Sequence, residues 1–174
     1  MSHPPSILPS ILPSILPSSY ASVMPQEAAF VPMHADALID VLQVEREAYL
    51  WPWSEGNIRD SIVNGHFCQT LRSSDGQLIG YFIAMPCLDE VHLLNITVAP
   101  EFQRQGWARV MLDGLHEWAR QRQAQWVWLE VRSSNERAIR VYEEYGFRRI
   151  GMRKAYYPLD GCTRENAIVM SSRP

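Results

Sequence analysis

The sequence predicts an α/β (α+β) domain: a single mixed, mostly antiparallel sheet of six to seven strands, flanked by about four helices. Three observations lead there. Strand-like and helix-like patterns alternate from about residue 26 to 172 in the order β-α-α-β-β-β-α-β-α-β-β, which stacks helices on one sheet. No change of composition divides that stretch, and a 174-residue chain is long enough for one domain with a real core. Hydrophobic residues make up 47% and charged residues 20%, the balance of a soluble globular protein.

The elements follow in order. Residues 1–24 hold the tetrapeptide Ile-Leu-Pro-Ser three times, from Ile7 to Ser18. A proline every fourth residue excludes a regular helix or a central strand, so a disordered low-complexity tail is expected, ahead of a domain at 25–174. No Lys or Arg precedes the repeats and prolines interrupt them, so a secretory signal is not expected. Glu27–Met33 reads as the first strand. Leu38, Ile39, Val41, Leu42 and Ala48 keep a helical period. Pro52 breaks that helix, and Ser54 is suited to cap a second, short one. Phe67–Leu71 and Leu78–Met85 read as strands around an SSDGQ hairpin turn, and Val91–Val98 as the next. A long helix spans about Gly106–Gln123, with Trp107, Met111, Leu115, Trp118 and Ala119 along one side. Trp126–Val131 is a strand. Asn135–Tyr145 is a short helix stopped by Gly146. Phe147–Ile150 and Ala167–Met170 complete the sheet.

Bulk properties exclude several functions. No apolar run approaches the roughly 20 residues that span a bilayer, and a net charge of −3 gives no reason to expect tight binding to nucleic acid. The five histidines are scattered and the three cysteines (Cys68, Cys87, Cys162) lack ligand spacing, so no metal is expected. The thiols read as buried or incidental groups in a reducing cytoplasm, and the protein as a monomer. Charge is unevenly placed: 3 Arg against 11 acids over residues 1–102, and 13 Lys+Arg against 8 acids over 103–174. The basic half contains the one glycine loop that joins a strand to a long helix, which suits an anionic ligand there.

That loop runs VAPEFQRQGWA, Val98–Ala108. The first N–H groups of a helix have no internal partner and lie at the positive end of its dipole, so phosphate fits there. Gly106 lets the chain turn and a phosphate approach. Ala108 is nearly as small, and Arg104 and Arg109 add charge. The Gly-Lys-Ser/Thr ending of a P-loop is absent. For the glycine alone, an ordinary strand–helix connection is an adequate explanation.

The whole string, Val-x-Pro-x-x-Gln-Arg-x-Gly-x-Ala, resembles the coenzyme A pyrophosphate loop of the GNAT N-acetyltransferases. LEVRSSNERAIRVYEEYGF, Leu129–Phe147, is similar to that family's second half. WPWS, DEVHLLNITVAPEFQRQG, WLEVRSSN and KAYYPLDG...ENAIVM together resemble the RimI-type protein N-alpha-acetyltransferases, over the whole domain but not the tail. Trp107 and Ala108 depart from the usual smaller aliphatic residue and glycine; both keep their N–H groups.

The resemblance implies the GNAT acyl-CoA acyltransferase fold, with acetyl-CoA as donor and a ribosomal protein N-terminus as acceptor: the terminal alanine of small-subunit ribosomal protein eighteen. It implies coenzyme contacts at Arg104, Gln105, Gly106, Trp107, Ala108, Arg109 and Asn135. It also implies backbone hydrogen bonds to the acetyl and pantetheine groups from Ile96, Thr97 and Val98, on a strand that splays from its neighbour. Asn135, at a helix start, is equally suited to plain capping.

Amide formation by direct attack needs a neutral amine, a polarised carbonyl and a proton for the leaving thiolate. Glu130 shares a strand face with Trp126 and Trp128, whose desolvation would make it a stronger base; the resemblance assigns it proton acceptance. The alternative is a strand-end glutamate paired with Arg132 or another arginine. Tyr142 is the candidate acid, a phenol still protonated at neutral pH; the resemblance places the proton donor there. The alternative is a core tyrosine packed with Ala138 and Tyr145. Cys87 or Cys162 as acetyl carrier lacks a histidine at partner spacing.

An α-amino group titrates at about 7.7–8.0 and lysine at about 10.4, so a modest base suits an N-terminus better. Trp53, Tyr156 and Tyr157 are candidates for the walls of a peptide cleft, with core or loop packing as the other explanation. The acidic N-terminal half suits a basic peptide. A lysine or small-amine acetyltransferase, and a non-catalytic acyl-CoA sensor, are the competing functions.

Overall fold

The computed structural model describes residues 27–159 and 162–174. The expected tail lies outside them. The chain forms β1 (Ala28–Pro32), α1 (Leu38–Ala48), α2 (Glu55–Val63), β2 (Phe67–Ser73), β3 (Leu78–Cys87) and β4 (Glu90–Val98). These are followed by α3 (Trp107–Gln121), β5 (Trp126–Arg132), α4 (Glu136–Tyr145), β6 (Arg148–Pro158) and β7 (Arg164–Ser172). One sheet has the order β1-β2-β3-β4-β5-β7-β6, antiparallel except at β4–β5. The expected element order and mixed sheet are therefore what the chain builds.

Local chemistry sets the ends. Ser54 caps α2: its hydroxyl accepts from Asn57 N–H at 3.2 Å, while its own N–H donates to Asn57 Oδ1 at 3.0 Å. Gly146 stops α4 at φ 120°, a conformation costly for any side chain. The sheet is buried on both sides at β3, where alternate side chains face opposite helices. Tyr81 points to α1, where it bonds Glu45. Phe82 packs on Phe30 and Phe67, and Phe67 stacks on Trp118 of α3 at 4.1 Å. β3 thus reads as one continuous apolar run. Gly80 within it is required by close approach: a Cβ there would sit 2.4 Å from the Thr97 carbonyl oxygen of β4.

Two expectations need correction. The final strands are longer than Phe147–Ile150 and Ala167–Met170. β6 has eleven residues, nearly all exposed, with register shifts after Arg149 and Arg153. An edge strand wet on both faces has no apolar alternation to reveal it. The long helix begins at Trp107, because Gly106 at φ 88° is its left-handed cap, and stops at Gln121 before Gln123 at φ 59°.

α3 buries a histidine as well as its apolar stripe. His116 Nε2 lies 3.2 Å from Ser172 Oγ, edge-on to Tyr145 and Phe147. Burial, with Arg120 adding to it, holds the imidazole pKa down at about 4. The unfolded chain therefore binds a proton near pH 6.5 that the folded chain refuses until about 4. Stability from this group is complete above pH 6.5 and is lost as pH falls through that window, by about 3 kcal/mol in all. In His116→Gln, denaturant titrations at pH 4 to 6.5 should show a slope shallower by about one proton.

Candidate functional site

The site begins where the sheet opens. β4 and β5 pair in parallel only from Glu90↔Trp126 to Leu93↔Leu129. Leu94 is then bulged out of the β3–β4 register, since Ala84 faces Leu93 and Ile83 faces Asn95. Beyond it, Ile96–Val98 and Glu130–Arg132 diverge. Ala99 N–H donates to Ile79 O at 2.9 Å, so by alternation the backbone of Thr97 serves β3, while Ile96 and Val98 turn theirs into the gap. The opening leaves the backbone groups of Ile96 and Val98 free for the coenzyme as the resemblance implied, but not those of Thr97, which pair with β3 while its hydroxyl faces Glu45.

A cavity of about 550 Å³ lies on one side of the gap. Ile96, Thr97, Val98, Arg104, Gly106, Trp107, Ala108, Arg109 and Asn135 all line it. Gly106 and Arg104 both have positive φ, at 88° and 63°. Left-handed residues in a loop turn successive N–H groups inward to form an anion-binding nest. The Gly106 carbonyl accepts from Arg109 and Val110, so the N–H groups of Trp107 and Ala108 open the helix without internal partners. The Trp107 side chain is buried in the core, leaving its N–H in place.

Gln105 is the exception. Its side chain bonds Glu101 O at 2.9 Å and accepts from Trp107 Nε1 at 3.4 Å, so it braces the loop and does not line the cavity. Gln103 does line it, bonding Val98 O at 3.2 Å and accepting from Arg137 Nη1 at 3.1 Å. Two glutamines two residues apart cannot be told apart without the loop's path. Asn135 caps α4 through Ala138 N–H at 3.1 Å and lines the cavity as well, so both of its readings hold geometrically.

On the other side of the gap lie two more cavities, of about 490 and 620 Å³. Glu130, Trp53 and Tyr157 line both; Tyr156 lines the outer one. The three aromatic residues thus gather around Glu130. Its carboxylate pairs with Arg153 Nε at 2.5 Å and accepts from the Tyr156 hydroxyl. Tyr157 donates to its backbone carbonyl at 3.1 Å. Arg132, the expected alternative partner, is committed to Glu165 at 2.7 Å. Glu130 is therefore both ion-paired, through Oε1, and cavity-lining, and Arg153 is more than half exposed. Burial pushes the Tyr157 phenol up to about 12, with the Glu130 charge adding to it, so it stays neutral.

Tyr142 lines both the first cavity and the nearer second one. Its ring packs on Phe147 at 5.8 Å, and burial raises its pKa well above the ordinary phenol value. Among the described residues its hydroxyl has no hydrogen-bond partner. A half-buried, protonated and uncommitted phenol at a junction of two cavities is suited to donate.

Two site residues escaped the sequence reading. Glu45 is 1% exposed on the apolar side of α1. Oε1 accepts from Trp53 N–H at 2.8 Å and Asn95 Nδ2 at 3.3 Å, and Oε2 accepts from Thr97 Oγ1 at 3.2 Å and from Tyr81. Tyr49, one turn on, lines both cavities that Tyr142 lines. The signal was a carboxylate falling in step with Leu38, Val41 and Leu42.

Cys68 is buried, its thiol pushed up to about 11 by burial; Cys87 and Cys162 are exposed and line none of these three cavities. Among the described residues no cluster of His, Cys, Asp or Glu could hold a metal, and no helix is long and apolar enough to cross a membrane.

Residues 38–147 match the model of the acetyltransferase (GNAT) family. The chain is 35% identical over 131 residues to the [ribosomal protein bS18]-alanine N-acetyltransferase of Haemophilus ducreyi, covering 75% of this chain and 90% of that one. It is 37% identical over 129 residues to the enzyme of that name from Escherichia coli K12, covering 74% and 85%. The crystal structure of the ribosomal-protein-S18-alanine N-acetyltransferase from Escherichia coli superposes with a TM-score of 0.76 at 33% identity, covering 84% of this chain and 93% of that one.

Proposed function

The chain belongs to the GNAT family of acetyltransferases and is an N-acetyltransferase; from that premise we propose that it carries acetyl from acetyl-CoA to the α-amino group of a protein N-terminus, the terminal alanine of ribosomal protein bS18. The carrying observation is the meeting of two cavities at Tyr142, one lined by the helix nest and one containing Glu130. The names of the relatives at 35–37% identity support the choice of substrate.

In this reading the nest formed by Arg104, Gly106, Trp107 and Ala108 takes the pyrophosphate, with Arg109 adding charge. The N–H groups of Ile96 and Val98 point at the acetyl and pantetheine oxygens across the gap. Trp53, Tyr156 and Tyr157 wall the peptide. The amine nitrogen attacks the thioester carbon; its proton passes to Glu130, directly or through one water. The C–S bond then breaks, and Tyr142 hydrogen-bonds the leaving sulfur. Burial makes full loss of the Tyr142 proton costly, so its main service is that hydrogen bond. An α-amine suits a carboxylate base, since a substantial fraction is already neutral near pH 7–8.

A peptide with a free N-terminal alanine and an internal lysine, mixed with acetyl-CoA and mapped by mass spectrometry, tests this. Acetyl on the alanine alone is expected. Acetyl on the lysine, or donor binding without any transfer, overturns the proposal.

A further inference from the structure

Five residues line both the nest-side cavity and the adjoining amine-side cavity: Tyr49, Ile96, Asn135, Ala138 and Tyr142. Two carry phenol hydroxyls, and the two are disposed differently. Tyr142 is uncommitted. Tyr49, the residue that ends α1, donates to the Ile96 carbonyl oxygen at 3.0 Å, across 47 residues of chain. Thr97 Oγ1 lies 3.4 Å from the Tyr49 hydroxyl and 3.2 Å from Glu45 Oε2. A buried carboxylate, a threonine and a tyrosine thus lead from α1 to the backbone at the gap.

Ile96 and Val98 turn their backbone groups away from β3 and have no β5 partner beyond Leu93. Each contributes an N–H and a C=O to the gap. A carbonyl oxygen there carries partial negative charge beside the point where the thioester oxygen becomes an oxyanion, and so opposes the reaction. Both carbonyls accept a hydrogen bond: Val98 O from Gln103 Nε2 at 3.2 Å, Ile96 O from the Tyr49 hydroxyl.

We propose that Tyr49 is a positioning residue of the transferase site: its hydroxyl bonds the Ile96 carbonyl, which β5 leaves unpaired, so that this oxygen meets the reacting acyl group with its charge offset and its direction fixed. The assignment rests on the acetyl-transfer reading above. Burial raises the Tyr49 phenol above its ordinary value, which keeps the donor proton in place.

The test is Tyr49→Phe, which removes one hydroxyl and keeps the ring. Three quantities are read: the ¹³C shift of the labelled Ile96 carbonyl, the Kd for acetyl-CoA, and kcat and KM for the alanine peptide. The carbonyl signal should move toward its unbonded position, and kcat should fall about tenfold with KM and Kd little changed. The pH profile should keep both of its limbs. An unmoved carbonyl signal overturns the inference whether or not the protein turns over, and so does a moved signal with unchanged kcat. A lost limb would make Tyr49 a titrating catalytic group and equally overturn it. Should Tyr49→Phe fail to fold, Thr97→Val withdraws the hydroxyl that orients Tyr49 and should lower kcat in the same direction; no loss there overturns the inference too. If the wild-type protein moves no acetyl at all, the fault lies with the proposed function, and an unmoved carbonyl signal still overturns the assignment of Tyr49.

Discussion

Glu130→Gln should lower kcat/KM for an N-terminal alanine peptide by roughly 10²–10³, the range expected when a general base is removed. The substitution keeps size and shape. β5 stays paired along Val127–Arg132 with β7, so the strand has no reason to move. Glu130 lines the two amine-side cavities and not the nest-side one, so the Kd for acetyl-CoA should hold. Steady-state kinetics with a parallel donor-binding titration measures both. The main rival explanation is that activity falls because the ion pair to Arg153 is broken. Arg153→Gln breaks the same pair while leaving the carboxylate. If Arg153→Gln loses as much activity as Glu130→Gln, the pair and not the base is what matters.

Tyr142→Phe should lower kcat about a hundredfold while leaving KM for the peptide and Kd for acetyl-CoA nearly unchanged. That division marks an interaction made only as the C–S bond breaks. The ring contact with Phe147 survives in phenylalanine, so packing is controlled. Unchanged kcat would leave Tyr142 as a core ring at a cavity wall, the other role its position allows.

How far the sequence carried the argument depends on the kind of signal. The nest was legible because Gly106 and the string around it are local and unusual. Glu130 and Tyr142 stood out only as parts of longer motifs; by spacing alone the structural explanation of each was the better one. What Glu130 touches was not legible at all. Its partner Arg153 lies on β6, a strand without periodicity whose existence depends on β7. Glu45 could be seen as a carboxylate on an apolar stripe, yet its donors come from Trp53, Tyr81, Asn95 and Thr97, brought together only by the sheet. The direction of the Gln105 side chain, toward Glu101 and Trp107, was not legible because side chains in a loop do not follow a period.

The splayed β4–β5 seam also changes how the protein must guard against aggregation. A sheet has two outer edges, where stray strands can add. Here β6 arms one with Arg148, Arg149, Arg153 and Lys154, and β1 shortens the other to five residues ending in Pro32. The seam creates two further edges inside the sheet, with no such charges on Ile96–Val98. The β4 edge is protected by occupancy of another kind: Tyr49 and Gln103 bond the Ile96 and Val98 carbonyls that an invading strand would need. The hydrogen bonds that prepare the gap for one thin guest thereby make it a poor template for any other.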